Sequence, residues 1–242
     1  MPLIKSPRQS PEDLKAWEEH SRYDKRLWAL TEKKTARAVE AIKEFTRYDS
    51  TGYISCSWGK DSTVVAHLCV VEKCTLPIVW VRVKGWENPD CVLVRDAFLA
   101  DYEDQVDYHE ITVDPAAPRR WENASQGTQR TSTLGFKEAA RRFGHRHISG
   151  VRGAESAQRS MAMAVHGIES AHSCRPIGYW KNQDVFSYLA HHDLPIHPAY
   201  AMNLGGAKPR DHIRVGSLGG SRGTELGRGR WEEHYYPDVV RK

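Results

Sequence analysis

The spacing of apolar and polar residues changes several times along the chain, and each change marks an element. Ser10-Pro11-Glu12-Asp13 offers a capping serine, a proline at the first helical position and acids in the first turn. Helical spacing continues to about Arg47, with Trp17, Leu27, Trp28 and Leu30 in one apolar stretch and Ala38, Val39, Ile42 and Phe45 in a second. A break is expected near residues 21–24. Residues 53–56 form a short apolar strand, and Val64, Val65, Leu68 and Val71 supply the apolar face of a helix after it. Residues 77–83 are almost continuously apolar, as in a strand buried on both faces of a parallel sheet. Asn88-Pro89 opens another helix, with Asn88 as its cap, and residues 105–113 alternate as a strand. A helix over 133–143 stops at Gly144, and residues 146–150 form a further strand. Strand and helix in alternation predict an α/β fold, a doubly wound, mostly parallel five-stranded sheet with right-handed crossovers.

Three segments follow from this pattern: an N-terminal helical part over 1–47, a nucleotide-binding domain over 48–204 and a Gly/Arg-rich tail over 205–242. With 242 residues, 40% hydrophobic and 27% charged, the composition is that of a soluble globular protein. No apolar run approaches a membrane span and the first residues lack a signal-peptide core, so a cytoplasmic location is expected. The five cysteines, at 56, 69, 74, 91 and 174, form no Cys-x-x-Cys pair, and neither zinc nor an iron–sulfur cluster is expected. His166, His172 and Cys174 match no closed zinc spacing. The net charge of +4 suits an anionic ligand.

The candidate chemistry starts at Ser57-Trp58-Gly59-Lys60-Asp61-Ser62, a polar turn between the strand ending at residue 56 and the next helix. The first N–H groups of a helix have no partner inside it, and the helix dipole adds positive potential, so such a turn is an anion site. Gly59 permits close backbone approach, and Ser62 adds a hydroxyl. The Walker A spacing is absent. A second run, Gly150-Val151-Arg152, ends a strand and leads through Glu155-Ser156 to Arg159. Arg152 offers a planar fork to phosphate, whereas Arg159 lies four residues from Glu155, the spacing of an ion pair on one helix face. Lys84 falls at the carboxyl end of the second strand, where ligands of parallel sheets bind.

The run Ser57-x-Gly59-Lys60-Asp61-Ser62 resembles the pyrophosphate (PP) loop of the adenine nucleotide alpha-hydrolase superfamily. Together with Gly150-x-Arg152…Glu155-Ser156…Arg159, the Pro176-Ile177…Trp180…Asp184-Val185…Tyr188 segment and Leu194-Pro195…Pro198…Tyr200, it resembles the phosphoadenosine phosphosulfate (PAPS) reductase family. The resemblance implies a nucleotide site at Ser57, Trp58, Gly59, Lys60, Asp61, Ser62, Lys84, Gly150, Arg152 and Arg159. It implies catalytic roles for Lys60, Asp61 and Arg152, ATP or PAPS as substrate, and Mg²⁺ with Asp61 as a candidate ligand. Trp86 is a candidate for stacking on a base, and residues 115–132 for a surface lid. Reductases of this family act through a cysteine in a C-terminal tail. Here no cysteine follows Cys174, so adenylation of an acceptor at the α-phosphate of ATP, with pyrophosphate release, is the expected reaction. A PAPS-using reductase and a nucleotide-sensing or nucleic-acid-binding module remain the alternatives. Arg214, Arg222, Arg228 and Arg230 are candidates for a flexible basic lid over the polyphosphate; a nucleic-acid arm or a solvated tail is equally open. The acceptor, a nucleic acid or a protein among the options, and a homodimer through the N-terminal helices are left open.

Overall fold

The computed structural model describes residues 3–85, 87–114, 131–218 and 228–240. Five strands, β1 (Tyr53–Ser55), β2 (Ile78–Val83), β3 (Tyr108–Val113), β4 (His147–Ser149) and β5 (Ser173–Cys174), form one sheet in the order β3-β2-β1-β4-β5. Every pairing is parallel. The chain builds outward from β1 to β3, then crosses back to place β4 on the other side of β1. The switch point, where ligands of doubly wound sheets bind, therefore lies at the carboxyl ends of β1 and β4.

The period of two along the strands separates two layers. Tyr53, Val79 and Ile111 face α5 (Thr131–Phe143) and form a small cluster with Ala139. Ile54, Ile78, Trp80 and Ile148 belong to the main core. That core also takes residues from α1 (Pro11–Arg26), α2 (Trp28–Thr46), α3 (Lys60–Val71), α4 (Cys91–Tyr102) and α7 (Asn182–His191). The remaining helices are α6 (Ala157–His166), α8 (Arg228–Tyr235) and α9 (Pro237–Val240). No described helix is long and apolar enough to cross a membrane.

Several local expectations shift. The N-terminal break falls at Leu27 rather than within 21–24: its N–H bonds to the Asp24 carbonyl and a new helix starts at Trp28. Leu30 is exposed, outside the apolar stripe. Asn88 does not cap α4; its Oδ1 accepts from the Asp90 N–H and the helix begins at Cys91, two residues later. The third strand starts at Tyr108, because Glu103–Gln105 make a 3-10 turn. The cap residue of α7 is Lys181, its N–H held by Asp184 Oδ2 at 2.7 Å, and Asn182, a residue that could itself have capped this helix, is its first helical residue.

The largest departure concerns the two ends. Trp17, Ala38, Ile42 and Phe45 of the N-terminal part and Ile213, Val215, Leu218, Trp231 and Tyr236 of the C-terminal part are buried in the same core as the sheet. Trp231 donates its indole N–H to the Met202 carbonyl at 2.6 Å. Arg210 places a two-pronged fork on the fully buried Asp24, at 2.6 and 2.7 Å, and stacks on Phe186. The described stretches of 205–242 are thus packed structure, because their aromatic residues have more apolar area to bury than glycine has entropy to lose.

Candidate functional site

The 57–62 turn leaves β1 and enters α3 as its sequence suggests. Trp58 takes a left-handed backbone conformation (φ 59°), which reverses the chain, and Gly59 is the cap residue of α3. Inside the turn, the Ser62 hydroxyl donates to the Gly59 carbonyl at 3.1 Å and accepts the Ser57 N–H at 3.2 Å. Gly150 at the end of β4 is required by contact: a Cβ there would lie 2.8–2.9 Å from the Asp61–Ser62 peptide. Two strand ends are thereby clamped together at the switch point.

A cleft of about 420 Å³ opens over this turn, lined by Ser57, Gly59, Lys60, Asp61 and Ser62 from one strand end and by Ser149 and Gly150 from the other. Its far wall is the C-terminal segment, through Ile213, Val215 and Ser217. The Tyr200 hydroxyl accepts the Lys60 N–H at 3.1 Å, and Val215 Cγ2 would be 2.9 Å from a Cβ on Gly59. Tyr200 and Val215 therefore roof the turn. Burial, with Asp61 nearby, raises the Tyr200 pKa well above its usual value, so the phenol stays neutral.

The charges form a short chain. Lys60 Nζ meets Asp61 Oδ2 at 2.6 Å, and Arg152 Nε meets Asp61 Oδ1 at 2.6 Å. Burial lowers the Lys60 pKa, and Asp61 works against that shift. Arg152 is buried; its other two nitrogens donate to the Trp180 carbonyl at 3.1 Å and to Asn182 Oδ1 at 2.6 Å. Three of its five N–H groups are thus held by protein partners, and Arg152 is not among the residues lining the cleft over the 57–62 turn, where a fork open to phosphate was expected. Arg152 acts instead by fixing Asp61. Asp61 fits poorly as a Mg²⁺ ligand, since both its oxygens already accept from cations. Among the described residues, no group of three or more His, Cys, Asp or Glu could hold a metal.

The other expected residues divide. Arg159 lines the cleft but pairs with Glu155, and the Ser156 hydroxyl accepts its N–H to start α6. Arg214 and Arg228 line it too; Arg214 donates to the Glu155 carbonyl, and Arg228 to Glu232 and the Ser217 carbonyl. The Trp58 side chain is not at the cleft: the ring is fully buried against Phe98 and Tyr108, where its apolar area is better placed than in water. Lys84 is exposed, 3.6 Å from Asp114, and lies outside the cleft lining. Arg230 is likewise exposed and outside it. Arg222, Trp86 and residues 115–130 fall outside the described residues.

Sequence reasoning missed Tyr200, Val215 and Asn182 as site residues. Tyr200 was legible only as part of a turn motif. Its contact spans 140 residues and carries no local signal.

All five cysteines lie within the described residues, and none lines the cleft. Cys56, next to the turn, is buried and its thiol is pushed up to about 12 by desolvation. Cys174 is buried, with its thiol raised by the same cause.

The family model described as phosphoadenosine phosphosulfate reductase domain matches residues 51–222. A phosphoadenosine 5'-phosphosulfate reductase from a Synechococcus strain is 25% identical over 190 residues, covering 72% of this chain and 82% of its own. One from Xylella fastidiosa strain 9a5c is 23% identical over 184 residues, covering 72% and 74%. The crystal structure of a PAPS reductase from Candida auris, a phosphate complex, has a TM-score of 0.50 at 14% identity and covers 75% of this chain and 88% of its own, a likeness of fold. The matched span holds the turn, the Gly150–Arg152 strand end and the roof at Tyr200 and Val215, and it places the chain in the phosphoadenosine phosphosulfate reductase domain family.

Proposed function

We propose that the protein binds an adenine nucleotide with its phosphates against the 57–62 turn and reacts at the α-phosphate of ATP. An acceptor oxygen attacks that phosphorus, the bond to the β-phosphate oxygen breaks, and pyrophosphate leaves with the electron pair. The first-turn N–H groups of α3 and the Lys60 ammonium stabilise the negative charge that develops on the leaving group. Asp61 and Arg152 are positioning residues: Arg152 holds Asp61, and Asp61 holds Lys60 at the cleft wall.

The observation that carries this reading over thiol-dependent reduction is the composition of the cleft. It presents a helix start and a lysine, while every cysteine of the chain lies elsewhere. Reduction needs a thiolate at the substrate sulfur, and hydroxyls cannot replace it. The PAPS reductase relatives favour PAPS as the competing substrate. Product analysis separates the two. Incubation with ATP and cell extract as a source of acceptor should release pyrophosphate. Sulfite released from PAPS with thioredoxin would overturn the reading, and release of neither product would leave a binding module.

A further inference from the structure

The far end of α3 closes on a pair of cysteines. The Cys74 N–H bonds back to the Cys69 carbonyl at 2.9 Å, and the Lys73 N–H to the Val70 carbonyl at 2.9 Å. Lys73 between them takes the left-handed conformation, φ 57°. This is the Schellman way of ending a helix, in which the side chains of the first and last residues of the stop fold against each other. That contact is commonly apolar. Here both residues are thiols, Cys69 buried and Cys74 partly exposed. The backbone bond holds their Cα atoms within about 7 Å, the reach of a disulfide.

The two thiols are not equivalent. The Cys69 thiol donates towards the Cys74 sulfur and is the main cause that holds the Cys74 pKa below its ordinary value; burial opposes the shift and the Leu76 N–H adds to it. Glu72 also opposes it, and Lys43, 3.5 Å from Glu72, weakens that effect. The same thiol contact, with burial, pushes the Cys69 pKa well up. An accessible thiol with thiolate character beside a buried one is the arrangement of an attacking and a resolving cysteine. The other sulfurs are engaged elsewhere. Cys91 Sγ donates to the Val215 carbonyl at 3.7 Å and Cys174 Sγ to the Ala41 carbonyl at 3.8 Å, while Cys56 is fully desolvated. The pair is about 14 Å along the helix axis from Lys60 and lines no part of the cleft, so its chemistry is separate from the reaction proposed above.

We propose that Cys69 and Cys74 are a redox-modification site, converted to a disulfide by exchange with a small-molecule disulfide. The Cys74 thiolate attacks one sulfur of that disulfide, whose S–S bond breaks, and one thiol leaves with the electron pair. A mixed disulfide remains on Cys74. Cys69 then gives up its proton and attacks the Cys74 sulfur, and the second thiol leaves. The protein dithiol is oxidised, the small disulfide is reduced to two thiols, and the two protons end on those thiols. The new bond ties the end of α3 across its own stop.

The test uses the full chain, reduced and then incubated with oxidised glutathione, with mass spectrometry as the readout. Trypsin cuts after Lys73, between the two cysteines, so a Cys69–Cys74 disulfide appears as two joined peptides that dithiothreitol separates. Cys69→Ser should stop the reaction with one glutathione held on Cys74, and Cys74→Ser should block both steps. If Cys69→Ser fails to fold, Cys69→Ala serves, and the peptide map of the unaltered chain decides in either case. In the reduced, folded chain, Cys74 should be alkylated by iodoacetamide at least about tenfold faster than any other cysteine. Absence of oxidation overturns the proposal. So does a glutathione that stays on Cys74 of the unaltered chain, a bond from Cys69 to Cys56 or Cys174, or alkylation of Cys74 no faster than of the buried thiols.

Discussion

The 57–62 turn and the segment from 205 onward meet across one cleft, yet they are built by opposite means. In the turn, the backbone path is set by immediate neighbours: Ser62 closes the loop on Gly59 and Ser57, and Gly59 starts α3. In the described stretches of the C-terminal segment, key fixing contacts reach far along the chain. Trp231 is fixed by the Met202 carbonyl, Arg210 by Asp24 and Val215 by its seat over Gly59. A glycine- and arginine-rich composition describes a chain's freedom before it meets its partners, and distant partners decide whether that freedom survives.

The sharpest way to break the contrast is Trp231→Ala. If the segment is packed as described, unfolding in urea should show a loss of about 3–5 kcal/mol. A change below about 0.5 kcal/mol would return the segment to a loose appendage.

Acid tests both regions together. His67, in the body of α3, has its pKa lowered to about 4, chiefly by burial, and His197, just before the roof, has its pKa lowered to about 3 by burial. Both values lie below the unfolded value of 6.5. The unfolded chain therefore takes up protons first as pH falls. The stability contributed by the neutral rings is present above pH 6.5, and falls away between 6.5 and about 4 for His67 or about 3 for His197. His67 alone corresponds to about 3 kcal/mol across that window. Replacing His67 with Phe should flatten the pH dependence of urea midpoints between 4 and 6.5; an unaltered slope would sink the assignment.

Gly59→Val probes the place where the two regions touch. The added side chain collides with Val215, so nucleotide affinity should drop on the order of 100-fold, about 2.7 kcal/mol, with the circular dichroism spectrum retained. Unchanged affinity would remove the phosphates from this turn. The smallest effect is expected from Tyr200→Phe, which deletes the acceptor of the Lys60 N–H: about 1 kcal/mol of stability, read by thermal unfolding.

Much of the fold was legible because it rests on short-range periodicity. Strand spacing, the parallel order and the turn chemistry of 57–62 all follow from residues within one helical turn or one strand of each other. Gly150 was read as a site residue, and it packs directly on the turn. Arg152 shows where reading stops. Its position at a strand end was legible, but its three partners, Asp61, Trp180 and Asn182, come from elements far apart in sequence. A free arginine and a consumed one look alike until those elements assemble. Trp58 shows the same limit, since a tryptophan in a polar turn gives no sign of which way its ring points.

The Tyr200 hydroxyl has a consequence for which anions can enter. It already occupies the first N–H of α3, so an incoming ligand meets a filled position and has to outbid a neutral phenol oxygen. Hydrogen bonds to ionised oxygens are roughly twice as strong as those between neutral groups, and phosphoryl oxygens combine that strength with charge. If the proposed phosphates bind at this turn, the phenol would set a threshold for them, a selectivity that comes from a resident competitor and not from a better-shaped pocket.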